Sequence, residues 1–68
     1  MNMIPVNSSN ISKIGYENGT LYVEFKTRSL YAYNNVPIEV YNALMSASSH
    51  GKYLASHIKG LYSYQKLY

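Results

Sequence analysis

The sequence predicts an α+β domain: an antiparallel three- to four-stranded meander packed against two short helices. Three observations carry that expectation. Two runs of period-two alternation, residues 11–17 and 20–26, flank the pair Asn18-Gly19. A third alternating run, 30–34, stops at Val36-Pro37. Beyond Pro37 the apolar spacing lengthens, with Val40, Leu44 and Ala47 at i, i+4 and i+7.

Each element has a local reason. Asn7-Ser8-Ser9-Asn10 is polar, and residues 1–8 read as an irregular lead-in whose side chains cap backbone groups. In 11–17, Ser12, Ile14 and Tyr16 share a face, and Gly15 marks a candidate bulge. An Asn-Gly pair accepts the positive φ that a type I′ turn demands at both positions, which predicts a hairpin. In 20–26, Leu21, Val23 and Phe25 point one way, as expected of the central strand. Thr27-Arg28-Ser29 is a polar turn without glycine. In 30–34, Leu30 and Ala32 oppose Tyr31 and Tyr33, and alternation alone leaves open which pair faces the core.

Pro37 is placed at the first helical position, with Glu39 in the first turn, where the helix dipole favours an anion. Residues 46–51 break that helix. Ser48 or Ser49 then caps a second helix over 52–59, with Leu54 and Ile58 buried and Gly60 as its stop. In the tail, 61–68, Tyr62, Tyr64 and Tyr68 follow strand period. Two pairings remain open for it: a fourth strand within the chain, or a strand shared with a second copy, with Tyr62, Tyr64 and Tyr68 as interface anchors.

Composition narrows the function classes. A chain of 68 residues holds one domain. Its core rarely supplies more than roughly 3–5 kcal/mol of net stability, and association is one common supplement. With no cysteine, disulfides and cysteine zinc sites are excluded. The net charge of +3 is mild and falls short of a clustered basic footprint. The anomaly is nine tyrosines, a residue enriched at interfaces and shallow binding faces. No apolar run approaches the ~20 residues that span a bilayer, and the start lacks a basic and apolar leader pattern, so a cytoplasmic protein is expected.

No catalytic constellation is visible. Glu17, Glu24 and Glu39 fall in a turn, a strand and a helix start. His50 and His57 lack the i, i+4 spacing of a helical metal pair. Neither catalysis nor a cofactor nor a metal is expected. Two binding readings compete. In one, Tyr22, Tyr31 and Tyr33 form a sheet-face platform for stacking bases, with Arg28, Lys52 and Tyr53 at its flanks and Lys26 and Lys59 extending a phosphate patch. In the other, the same tyrosines pack across strands and under helices, and the chain is a protein-interaction module that docks on a host protein or on itself.

The ordered set Ser8-Ser9-Asn10-Ile11, Ile14-Gly15-Tyr16, Leu21-Tyr22-Val23-Glu24-Phe25, Tyr31-Ala32-Tyr33, Val36-Pro37, Gly51-Lys52-Tyr53 and Ile58-Lys59-Gly60 resembles the KTSC domain. That family is named after a C-terminal extension of some lysyl-tRNA synthetases and also occurs as small stand-alone bacterial and phage proteins. The resemblance covers about residues 6–64 and implies RNA binding through its synthetase context. Tyr31, Tyr33, Gly51, Lys52 and Tyr53 match the family pattern. Arg28-Ser29 replaces a glycine turn, and Ala32 stands where a basic or polar residue is common, which removes one potential phosphate contact.

Overall fold

The computed structural model describes residues 2–68. Five strands and two helices follow one another: β1 (Ile4–Pro5), β2 (Ile11–Glu17), β3 (Thr20–Phe25), β4 (Leu30–Tyr33), α1 (Ile38–Ser46), α2 (His50–His57) and β5 (Tyr64–Lys66). The sheet is antiparallel throughout, in the order β1-β2-β3-β4-β5, so β3 is central as expected.

The β2–β3 hairpin turns at Asn18 and Gly19 with φ of 52° and 80°, the left-handed pair that the sequence called for. The bulge lies elsewhere than expected. Gly15 pairs in register with Tyr22, and the irregularity falls between Ile11 and Lys13. The extra residue there lets Ile11 and Ile14, an odd number of positions apart, both turn inward. The lead-in is also more ordered than its composition suggests. Ile4 pairs with Ile14 and Pro5 with Lys13, and two residues are too few to show a period. Proline is tolerated because this is an edge strand.

The β3–β4 turn holds Arg28 at φ 72°, with its N–H donating to the Phe25 carbonyl at 2.8 Å. Left-handed backbone costs an L-residue roughly 1–2 kcal/mol, of which glycine's extra unfolded-state freedom takes back ~0.5–1. Arg28→Gly is therefore expected to stabilise the domain by roughly 0.5–1 kcal/mol, raising the thermal midpoint by about 2–8 °C. A calorimetric midpoint at or below that of the wild type would contradict this account of the turn.

Register settles the face of β4. Tyr33 lies opposite Leu21 and Tyr31 opposite Val23, so both tyrosines face the helices and Leu30 and Ala32 lie on the other face, where Ala32 is still buried. After β4, Asn35 adopts φ 56° and Val36 buries its side chain. Tyr16 pins this crossing: its hydroxyl donates to the Val36 carbonyl at 2.5 Å and its ring stacks on Tyr41 at 5.0 Å. Pro37 sits at the N-cap of α1, one residue before the position expected, with extended ψ of 149°.

Helix α2 starts at His50, two residues earlier than expected, because Ser49 is its cap and accepts from the Lys52 N–H at 3.3 Å. The helix also ends two residues earlier than expected, at His57 with Ile58 as its C-cap, and Gly60, at φ 82°, lies in the turn that follows instead of stopping the helix. Both helices cover one face of the sheet. Ile11, Ile14, Leu21, Val23, Tyr33, Val36, Leu44, Leu54 and Ile58 form the core between the layers. The tail pairs within the chain: Tyr64 lies opposite Tyr33, Gln65 opposite Ala32 and Lys66 opposite Tyr31. The sharing of this strand with a second copy is thus not needed to complete the sheet. Among the described residues no helix is long and apolar enough to cross a membrane.

Candidate functional site

Two facts of register build the site. Residues i and i+2 of a strand share a face, so Tyr31 and Tyr33 stand side by side toward the helices. Residues directly opposite on neighbouring strands also share a face, so β5 brings Tyr64 beside Tyr33 and Lys66 beside Tyr31. The three rings form a triangle, with centroids 6.4 Å apart for Tyr31–Tyr33, 5.6 Å for Tyr31–Tyr64 and 5.7 Å for Tyr33–Tyr64. Phe25, at the end of β3, meets Tyr31 edge-on at 5.5 Å. The triangle is graded in exposure: Tyr33 is buried, Tyr31 half-buried, and Tyr64 is 59% exposed.

The segment that follows α2 closes the site. Lys59 places its ammonium 5.5 Å from the Phe25 ring centroid, a cation–π position. Gly60 then reverses the backbone. Tyr31, Tyr33, Lys59, Gly60 and Tyr64 enclose a cleft of about 340 Å³. A second cleft of about 260 Å³ adjoins it, lined by Asn10, Phe25, Thr27, Ser29, Tyr31 and Lys59. Tyr31 and Lys59 belong to both.

Burial pushes the Tyr33 hydroxyl above its ordinary pKa of 10.0, and the neighbouring Tyr31 and Tyr64 oxygens add to the shift. The folded protein thus holds this proton more tightly than the unfolded chain does. The associated stability is intact below about pH 10 and drains away as pH rises through the folded value. Thermal midpoints measured upward from pH 9 should fall more steeply for the wild type than for Tyr33→Phe. Parallel curves would show that Tyr33 carries no such linkage.

The residues singled out in the sequence do not form one surface. Tyr31 and Tyr33 are together, but Tyr22 pairs with Ala32 and Gly15 and lies on the opposite face of the sheet. A single platform of Tyr22, Tyr31 and Tyr33 is ruled out by that parity. Arg28 is exposed in the β3–β4 turn. Lys52 and Tyr53 line a separate hollow of about 240 Å³ with Ser49, Ser56 and His57, which shares no residue with the two clefts. There Tyr53 is half-buried with its ring 4.5 Å from His57. Of the tail tyrosines, Tyr62 packs against the core, Tyr64 enters the aromatic triangle and Tyr68 is exposed.

Gly51, matched on the family pattern, has a packing reason: a Cβ there would lie 2.5 Å from Asn10 Oδ1. His50 has one too. Its Nδ1–H donates to the Leu44 carbonyl at 2.8 Å, tying the start of α2 to the end of α1. Sequence reasoning undervalued Tyr64, Lys66 and the shared position of Lys59. The usable signal was the strand period of the tail, but only the register reveals what stands opposite it.

The sequence profile of the KTSC domain matches residues 7–62. The chain belongs to the KTSC domain family. A crystal structure of a KTSC domain protein from Yersinia pestis superposes with a TM-score of 0.94 at 35% identity, covering 98% of this chain and 97% of that one. An uncharacterized protein of Stutzerimonas stutzeri is 40% identical over 55 residues, 78% of each chain. Lysine–tRNA ligases of Nostoc sp. and Trichormus variabilis are each 42% identical over 48 residues, 71% of this chain. The match covers only 9% of the length of either ligase. The KTSC profile ends two residues before Tyr64, whereas the structural match to the Yersinia pestis protein covers almost the whole chain.

Proposed function

We propose that this KTSC domain is a non-catalytic module that binds single-stranded RNA at the Tyr31–Tyr33–Tyr64 cleft. The observation that carries the reading is the pairing of an open tyrosine ring with a lysine over one cleft: Tyr64 presents a face for a base, and Lys59 stands where a phosphate would follow. Such stacking is worth roughly 1–3 kcal/mol per base and tolerates any base, because each has a π-face. Lys66, on the same face, adds a second cation. The likeness to part of two enzymes named for tRNA supports an RNA partner. A non-catalytic role is supported by the placement of the carboxylates, with Glu17 on β2, Glu24 on β3 and Glu39 on α1.

The test is fluorescence anisotropy with an oligoadenylate of about twelve nucleotides, a length within the range of known single-strand sites. Affinity should fall as salt rises, with a log–log slope of about −0.7 for each phosphate neutralised. Lys59→Gln should flatten that slope by about 0.7. Binding that ignores salt, or no binding, would overturn the reading.

A second reading, a protein-interaction module, draws on the outer face of the sheet. Tyr22 and Leu30 are only half-buried there, Leu67 is 43% exposed, and no helix covers them. Native mass spectrometry that finds a stable self-assembly or a bound host protein, together with silence in the RNA assay, would favour it.

A further inference from the structure

We infer that the two adjoining clefts are successive subsites for two consecutive nucleotides, bridged by one phosphate at Lys59. This rests on the RNA-binding reading and goes further, because it assigns the second cleft and sets the length of the ligand.

Size is the first argument. Pockets that hold small ligands run from about 300 to 1,000 Å³. Clefts of about 340 and 260 Å³ lie just above and just below the lower end of that range, so each accommodates one nucleotide at most. Connection is the second. The clefts share a wall, Tyr31, whose ring lies 5.6 Å from Tyr64 on one side and 5.5 Å from Phe25 on the other. They also share one cation, Lys59, and its position over Phe25 places the charge beside the boundary, where a linking phosphodiester would sit.

Chemistry is the third, and it separates the subsites. The first is aromatic, with Tyr31, Tyr33 and Tyr64, and takes a base by stacking. The second sets an amide and two hydroxyls, from Asn10, Thr27 and Ser29, around Phe25. Asn10 is steadied by the Ser8 hydroxyl, which donates to its Oδ1 at 3.1 Å, and Thr27 lies 3.5 Å from the Ser29 hydroxyl. These groups offer donors and acceptors to a base edge or a 2′-hydroxyl. Stacking in the first subsite is indifferent to sequence, so any base preference arises in the second.

The test compares AMP, the dinucleotide ApA, the trinucleotide ApApA and the longer oligoadenylate by NMR titration of the intact chain. ApA carries less charge than AMP, yet it should bind about tenfold tighter, the gain expected from one further set of hydrogen bonds and contacts. ApApA should improve on ApA by less than about threefold, beyond the statistical gain of a second register. Thr27→Val, at an exposed turn position, should remove most of the advantage of ApA and leave AMP unchanged; Asn10→Ala provides a second such variant. If the oligoadenylate binds and depends on Tyr64, but ApA is no tighter than AMP or affinity climbs equally with every nucleotide, the two-subsite inference is wrong and the RNA reading stands. If the oligoadenylate does not bind, both fall.

Discussion

Leu21→Ala is expected to leave the domain largely unfolded near its working temperature. Leu21 is fully buried on the central strand, between Tyr16 on β2 and Tyr33 on β4. Removing a buried leucine beyond its β-carbon costs about 2–5 kcal/mol, the transfer term plus the cavity left behind. A single core of this size supplies roughly 3–5 kcal/mol in total. The two figures overlap, so the thermal midpoint should fall by more than about 10 °C, with loss of cooperativity. Leu67→Ala, on the uncovered outer face, is the control and should cost less than about 1 kcal/mol. If the two variants melt alike, the core lies somewhere other than between the helices and the inner face of the sheet.

The second large effect concerns binding. On the proposed function, Tyr64→Ala should weaken oligoadenylate binding by roughly 5- to 150-fold, the stacking contribution of one base. Tyr64→Phe keeps the ring and should stay within about threefold of the wild type. Stability should change much less than affinity, because the ring is 59% exposed and sits on an edge strand. Circular dichroism of the alanine variant checks that point directly. Unchanged affinity in Tyr64→Ala would remove the aromatic triangle from any account of binding.

What the sequence revealed was governed by range. The Asn18-Gly19 turn was legible because its conformational demand is local: two adjacent residues must take positive φ. The helix that follows Pro37 and a serine cap at 48 or 49 were legible for the same reason, and the structure selects Ser49. The face of β4 was not, since its alternation fits either orientation and the choice is made by pairing to β3. That same parity defeated the grouping of Tyr22 with Tyr31. An aromatic residue one step out of phase on the neighbouring strand lies on the far side of the sheet. β1 was missed because two residues carry no period. The pairing of β5 could not be read either, for a tyrosine-rich strand edge looks the same whether its partner is in the same chain or in another.

The origin of β5 has a consequence for how the cleft comes into being. Its two walls, Tyr33 and Tyr64, are neighbours on paired strands although both helices separate them in the chain. The hairpins close over short loops, whereas this pairing closes a long one at a larger entropic cost. A short, solvent-lapped border strand is also where a native sheet opens first. One wall of the cleft is thus held by the last residues of the chain, whose hydrogen bonds to Leu30 and Asn34 run from Ser63 to Tyr68.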